Sequence, residues 1–136
     1  MENDIIINKC RSIRNCIINI RNAYPKAREI FLDSYILQNS VVLDLQRAIQ
    51  ITIDIAAHIV RKKALDLPRE SKDLFESLYK HKIITQEMCK IMIGMVGFRN
   101  IAVHEYRTLD LNVVMNVVEN HLTDFEKFIQ EILKAN

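Results

Sequence analysis

The chain has 136 residues, 49% of them apolar and 26% charged, with a formal net charge of only +2. This balance fits one compact domain, 1–136, with a single core, and it excludes a disordered chain. It also excludes the coating of nucleic acid by bulk charge, which leaves a local basic patch as the route to such a ligand.

Two glycines and two prolines cannot supply many hairpin turns, so long helices on short links are expected. The opening MENDIIINKCRS starts acidic and is charged again within nine residues, which is not the pattern of a signal peptide. The first helix carries Ile6, Cys10, Ile13, Ile17, Ile20 and Tyr24 at alternating steps of four and three. Asp4 is its expected N-cap, and Pro25 either ends the helix or kinks it ahead of KAREIFL. Arg14, Arg21 and Arg28 recur every seven positions, a charge row that is ordinarily a solvated face.

A second helix is expected over about 36–64, with a stripe of Val42, Leu45, Ile49, Ile53, Ala56 and Val60. Val41, Ile51, Ile55 and Ile59 make much of the remaining surface apolar too. Polar residues keep to one line: Arg47, Gln50, Asp54, His58 and Arg61. Such a helix is buried on most sides, which points to the core plus a partner subunit. Arg61, Lys62 and Lys63 answer the dipole at its end.

LDLPRESKDL is a link, and a short helix over about 70–81 follows with Leu74, Phe75, Leu78 and Tyr79. Thr85 is the expected N-cap of the next helix, with Glu87 in its first turn. Met88, Ile91, Met95, Phe98 and Ala102 form its stripe, and Met88, Met92 and Met95 are core or dimer packing. Asp110 caps the last helix, whose apolar face is Leu111, Val114, Val118, Leu122, Phe125, Ile129 and Ile132. The expected fold is all-α: an up-and-down bundle of four long helices and one short one. Cys10, Cys16 and Cys89 form no CxxC pair and read as reduced core residues of a cytosolic protein. No run of about 18 uncharged apolar residues offers a membrane span.

The chemistry gathers in GFRNIAVHEY, residues 97–106. Asn100 and His104 are four apart and share a helix face. Arg99 and Tyr106, seven apart, align if the helix continues that far. Arg99 and His104 are separated by about 140° around an ideal helix. To meet, Arg99 must reach round, or the helix must loosen near His104, or two chains must build the site together. Singly, each of these side chains is an ordinary solvated helix end. Together they suffice to cleave RNA without a metal. A histidine takes the proton of a ribose 2′-OH, while arginine and asparagine stabilise charge on the attacked phosphate. The sequence has no Gly-rich phosphate loop, no HExxH and no Cys/His metal spacing, so neither cofactor nor metal is expected.

Arg99, four residues, His104, one residue, Tyr106 resembles the Rx4HxY ribonuclease motif of the HEPN superfamily. The whole chain, including its LQRAIQITIDIAAHIV helix, is similar to the HepT-type toxins, long labelled a domain of unknown function (DUF86). The resemblance implies a homodimer whose two motifs face each other across a cleft, with Arg99 and His104 as the catalytic pair and Asn100 as polar helper. It implies a metal-independent endoribonuclease toxin of a type VII-like toxin–antitoxin system in a prokaryotic cytoplasm. It further implies a nucleotidyltransferase antitoxin of the MntA type, which silences the toxin by transferring AMP from ATP to Tyr106. Asp54 and His58 are then either cleft-lining residues or a salt-bridged polar face. The arginine row either guides RNA, contacts the antitoxin or is solvated. The alternative is a non-catalytic helical module that presents Tyr106 to the nucleotidyltransferase; only catalysis requires His104.

Overall fold

Apolar residues spaced at three and four fold into helices throughout the computed structural model, which describes residues 2–135. Among the described residues there is no strand. The elements are α1 Glu2–Ala23, α2 Arg28–Asp33, α3 Tyr35–Lys62, α4 Ser71–Lys80, α5 Gln86–His104, a 3₁₀ turn at Tyr106–Thr108, α6 Leu111–Asn120 and α7 Leu122–Ala135. The fold is an all-α bundle in which α3 is central, packed by α1, α2, α4 and α5, while α7 closes over α1 and α5. The expected stripes are its core. Ile13, Ile20, Leu45, Ile49, Met92, Phe125, Ile129 and Ile132 are fully or almost fully buried, and all three cysteines are buried and free.

Two boundaries differ from the sequence reading, at Asp4 and His121, and the alternatives left open at Pro25 are decided. Asp4 is not an N-cap: α1 already begins at Glu2, so Asp4 lies in its first turn, where a carboxylate still suits the helix dipole. Pro25 terminates α1 rather than kinking it, because the ring removes an N–H donor. KAREIFL therefore contributes a separate short helix, α2. The last helix is broken at His121 into α6 and α7. There the buried Asp124 carboxylate meets the His121 ring Nδ1 at 2.9 Å. From Val114 onward both halves keep the predicted stripe buried, with Leu111 half-buried, so the break changes direction without changing which face is apolar.

The covering of α3 also has a local explanation. Most of its apolar surface is taken up by helices of its own chain, while Ile36 and Leu43 stay exposed. Thr85 and Asp110 cap as read, accepting from the Met88 and Asn112 amides at 3.1 and 2.8 Å.

Two members of the arginine row are structural clamps. Arg14 grips Glu126 of α7 with two hydrogen bonds of 2.8 and 2.7 Å. Arg28 grips Glu119 of α6 in the same forked way, and the Tyr24 hydroxyl donates to the same carboxylate. Arg28, and then Tyr24, hold the Glu119 carboxyl down at about 2, whereas burial and then Glu119 push the Tyr24 phenol up to about 12. The sign follows for each group. A lowered carboxyl contributes stability above its ordinary 4.5, lost as pH falls towards about 2. A raised phenol contributes below its ordinary 10, lost as pH rises through about 12. The link from α2 to α6 is thus expected to loosen at both extremes. Thermal melts of wild type and Glu119→Gln should differ at neutral pH and converge as pH falls from 4.5 towards 2. A gap that stays constant over that range would contradict the assignment.

Candidate active site at the end of α5

α5 stays helical through His104 and then stops. Glu105 leaves the helix at φ −134° and ψ 43°, its amide still bonded to the Ile101 carbonyl at 2.8 Å. The exposed His104 side chain therefore stands on the last helical residue. One turn back, the half-buried Arg99 donates from Nη1 to the Asn100 Oδ1 at 3.2 Å. Of the three ways for Arg99 to meet His104, loosening of the helix before His104 does not occur. The Arg99 guanidinium bonds its neighbour Asn100 instead of reaching round to His104.

Tyr106 does not align with Arg99, because the helix ends first. It opens the 3₁₀ turn, which is tied by the Thr108 amide and hydroxyl, both donating to the Glu105 carbonyl at 2.9 Å. Its half-buried ring is directed to the start of α3, where its hydroxyl donates to Asn39 Oδ1. Burial, and then the nearby Tyr35, raise the Tyr106 phenol above its ordinary range, so the hydroxyl is kept protonated. Asn39 escaped the sequence reading: it lies 67 positions from Tyr106, and no local spacing connects them.

Asp54 and His58 are not brought to this end within the chain. They sit 15 and 19 positions along α3 from Asn39, about 22 and 28 Å at the helical rise. Asp54 accepts from Gln50 Nε2 at 2.9 Å, and His58 Nε2 is buried without a hydrogen-bond partner. The outer face of α5 is open. Gly94, Gly97, Ile101 and His104, at steps of three, four and three, are all exposed, and a Cβ added at either glycine would meet nothing within 4 Å. Ile101 and Val103 are 47% and 45% exposed beside the histidine. Among the described residues, no helix is long and apolar enough to cross a membrane.

The site is thus a core helix of an all-helical domain that ends in Arg–Asn and His, with a tyrosine seated on the neighbouring helix. The profile described as "Ribonuclease HepT-like" matches residues 13–132, and the chain belongs to the HepT-like ribonuclease family. It is 46% identical, over 98% of both chains, to the mRNA nuclease HepT of Shewanella oneidensis. It is 30% identical to the tRNA nuclease HepT of Aphanizomenon flos-aquae, covering 79% of this chain and 76% of that one. A solved structure of the tri-AMPylated Shewanella oneidensis HEPN toxin in complex with MNT antitoxin superposes with a TM-score of 0.91 at 45% identity, covering 98% of each chain.

Proposed function

We propose that the chain is a metal-independent endoribonuclease toxin of the cytoplasm, active as a homodimer and silenced by AMP transfer to Tyr106. The observation that carries this is the end of α5. An exposed imidazole stands on the last helical residue with a guanidinium and an amide joined one turn behind it, in a chain of a ribonuclease family. His104 takes the proton from a ribose 2′-OH, and that oxygen attacks the adjacent phosphorus. The bond to the 5′-oxygen breaks, leaving a 2′,3′-cyclic phosphate, and the departing oxygen takes up a proton. Arg99 binds the phosphate, and Asn100 holds Arg99 while offering its own amide to a phosphate oxygen.

Since Arg99 and His104 do not meet in one chain, a second copy of the motif completes the site. The open α5 face supports that arrangement, because Gly94 and Gly97 let another backbone approach closely. Asp54 and His58, well along α3 from Asn39, line the cleft only if it extends along that helix. The antitoxin is a nucleotidyltransferase of the MNT type, as in the complex of the Shewanella oneidensis toxin. The protonated Tyr106 hydroxyl needs a base, which that enzyme supplies.

The decisive test is cleavage of cellular RNA by the unmodified chain in EDTA. Cleavage leaving cyclic phosphate ends, and lost after AMP is placed on Tyr106, is the expected result. No cleavage, or cleavage equally fast after modification, rejects the reading and favours a module that only presents Tyr106. A second prediction isolates the dimer. Gly97→Leu sends its Cβ from an exposed helix position into open space, so the fold should persist by circular dichroism. Sedimentation should then show monomer and RNA cleavage should fall with it; an intact dimer would place the interface elsewhere.

A further inference from the structure

Against Tyr106 lies an open cavity of about 300 Å³, lined by Tyr35, Gln38, Tyr106, Arg107, Leu109 and Leu111. That is the lower end of the roughly 300–1,000 Å³ of small-molecule sites, suited to a fragment the size of a nucleoside. Its lining is chemically mixed. Tyr35, 68% exposed, offers a free aromatic face on which a base can stack. The Gln38 amide nitrogen is spent on the Phe31 and Leu32 carbonyls, at 3.0 Å each, so its open group is the Oε1 acceptor. An acceptor there suits the exocyclic amine of adenine and opposes the oxygen of guanine. Leu109 and Leu111 are apolar lining, and Arg107 brings a permanent positive charge.

Asn39 adds a group that serves both states of the tyrosine. Its Oδ1 accepts from the phenol while the tyrosine is free. Once the phenolic proton is gone, the same amide, turned over, offers Nδ2 to a phosphate oxygen.

We propose that this cavity is a nucleoside monophosphate subsite that receives the first AMP after it is joined to Tyr106, with adenine against Tyr35 and Gln38 and phosphate between Arg107 and Asn39. The inference rests on the reading of Tyr106 as acceptor. In the transfer, the Tyr106 oxygen attacks the α-phosphorus of ATP and the bond to the β-phosphate bridge breaks. Pyrophosphate leaves, and the phenolic proton passes to a base of the transferase. The product folds back onto its own chain, so the silencing group is held in this cavity instead of trailing in solvent.

The test compares wild type, Tyr35→Ala, Asn39→Asp and Tyr106→Phe, each treated with the antitoxin and ATP and weighed intact by mass spectrometry. The modified forms are then exposed to a nonspecific phosphodiesterase. Release of AMP should be at least about fivefold faster from Tyr35→Ala than from wild type, the lower end of what one base–aromatic stack contributes. Asn39→Asp, which sets a carboxylate against the phosphodiester, should also release faster. AMP on Tyr106 should raise the melting midpoint of wild type and not that of Tyr35→Ala. Equal release rates overturn the subsite alone. Failure of wild type to take AMP, or continued modification of Tyr106→Phe, overturns the acceptor reading and the subsite with it. If Tyr35→Ala instead weakens RNA cleavage by the unmodified protein with release unchanged, the cavity is an RNA base site and the proposal falls.

Discussion

Replacing His104 by alanine is expected to slow RNA cleavage by about 10²- to 10⁴-fold, the usual contribution of a positioned acid–base group. The side chain is exposed at the last position of α5 and carries no packing, so the melting midpoint should stay within a degree or two of wild type. Arg99→Ala should lose about 10²- to 10³-fold, the scale of removing one preorganised donor from a developing anion. Arg99→Lys should recover only part of this, since a lysine keeps the charge but not the fork that bonds Asn100 and phosphate together. These variants are read by initial rates on a labelled RNA, with the melt as control for folding. An unchanged rate in His104→Ala would remove the acid–base role, whatever Arg99 does. Mixing His104→Ala with Arg99→Ala tests the shared site. If each active centre draws groups from two chains, mixed dimers should regain activity that neither variant has alone.

Phe128→Ala is expected to give the largest loss of stability, about 3–5 kcal/mol against a total of about 5–15 for a domain of this size. Phe128 is completely buried in α7 and meets Phe75 of α4 edge-on, with ring centroids 6.0 Å apart at 72°. Its removal leaves a void between two helices that are not neighbours in sequence, and it costs the aromatic pair as well. Urea unfolding should show a lower midpoint with little change in slope. A loss below about 1 kcal/mol would mean the cavity collapses and the helices close up. Leu67→Ser is the matched control: Leu67 is 95% exposed in the link before α4, and its change should be near zero.

The core was legible because periodicity is a local property. Val42, Leu45, Ile49 and Ile53 face inward for the same reason that they recur at three and four, and the Thr85 and Asp110 caps announce themselves in the same way. The break at His121 was not legible, since the stripe runs through it unbroken and only the packing of Asp124 marks the bend. The arginine row had the right spacing for a solvated face, yet Arg14 and Arg28 find carboxylates on α7 and α6 that are about a hundred positions away. At the site, the motif itself was visible as a string of residue types. Where its members point depended on the residue at which α5 stops.

By itself, the sequence determined the all-helical class, the buried stripes and the residue types of the motif, because each depends on interactions within a turn or two of helix. It could not say that Tyr106 leaves the helix and docks on Asn39, that Arg99 bonds Asn100, or that Tyr35 and Gln38 border the same cavity as Arg107. The Arg99 bond is a choice between neighbours on one helix, while the docking of Tyr106 and the cavity lining join segments tens of residues apart. Only the packing of α3 against α5 and the following turn brings them together, and no short-range pattern carries that information.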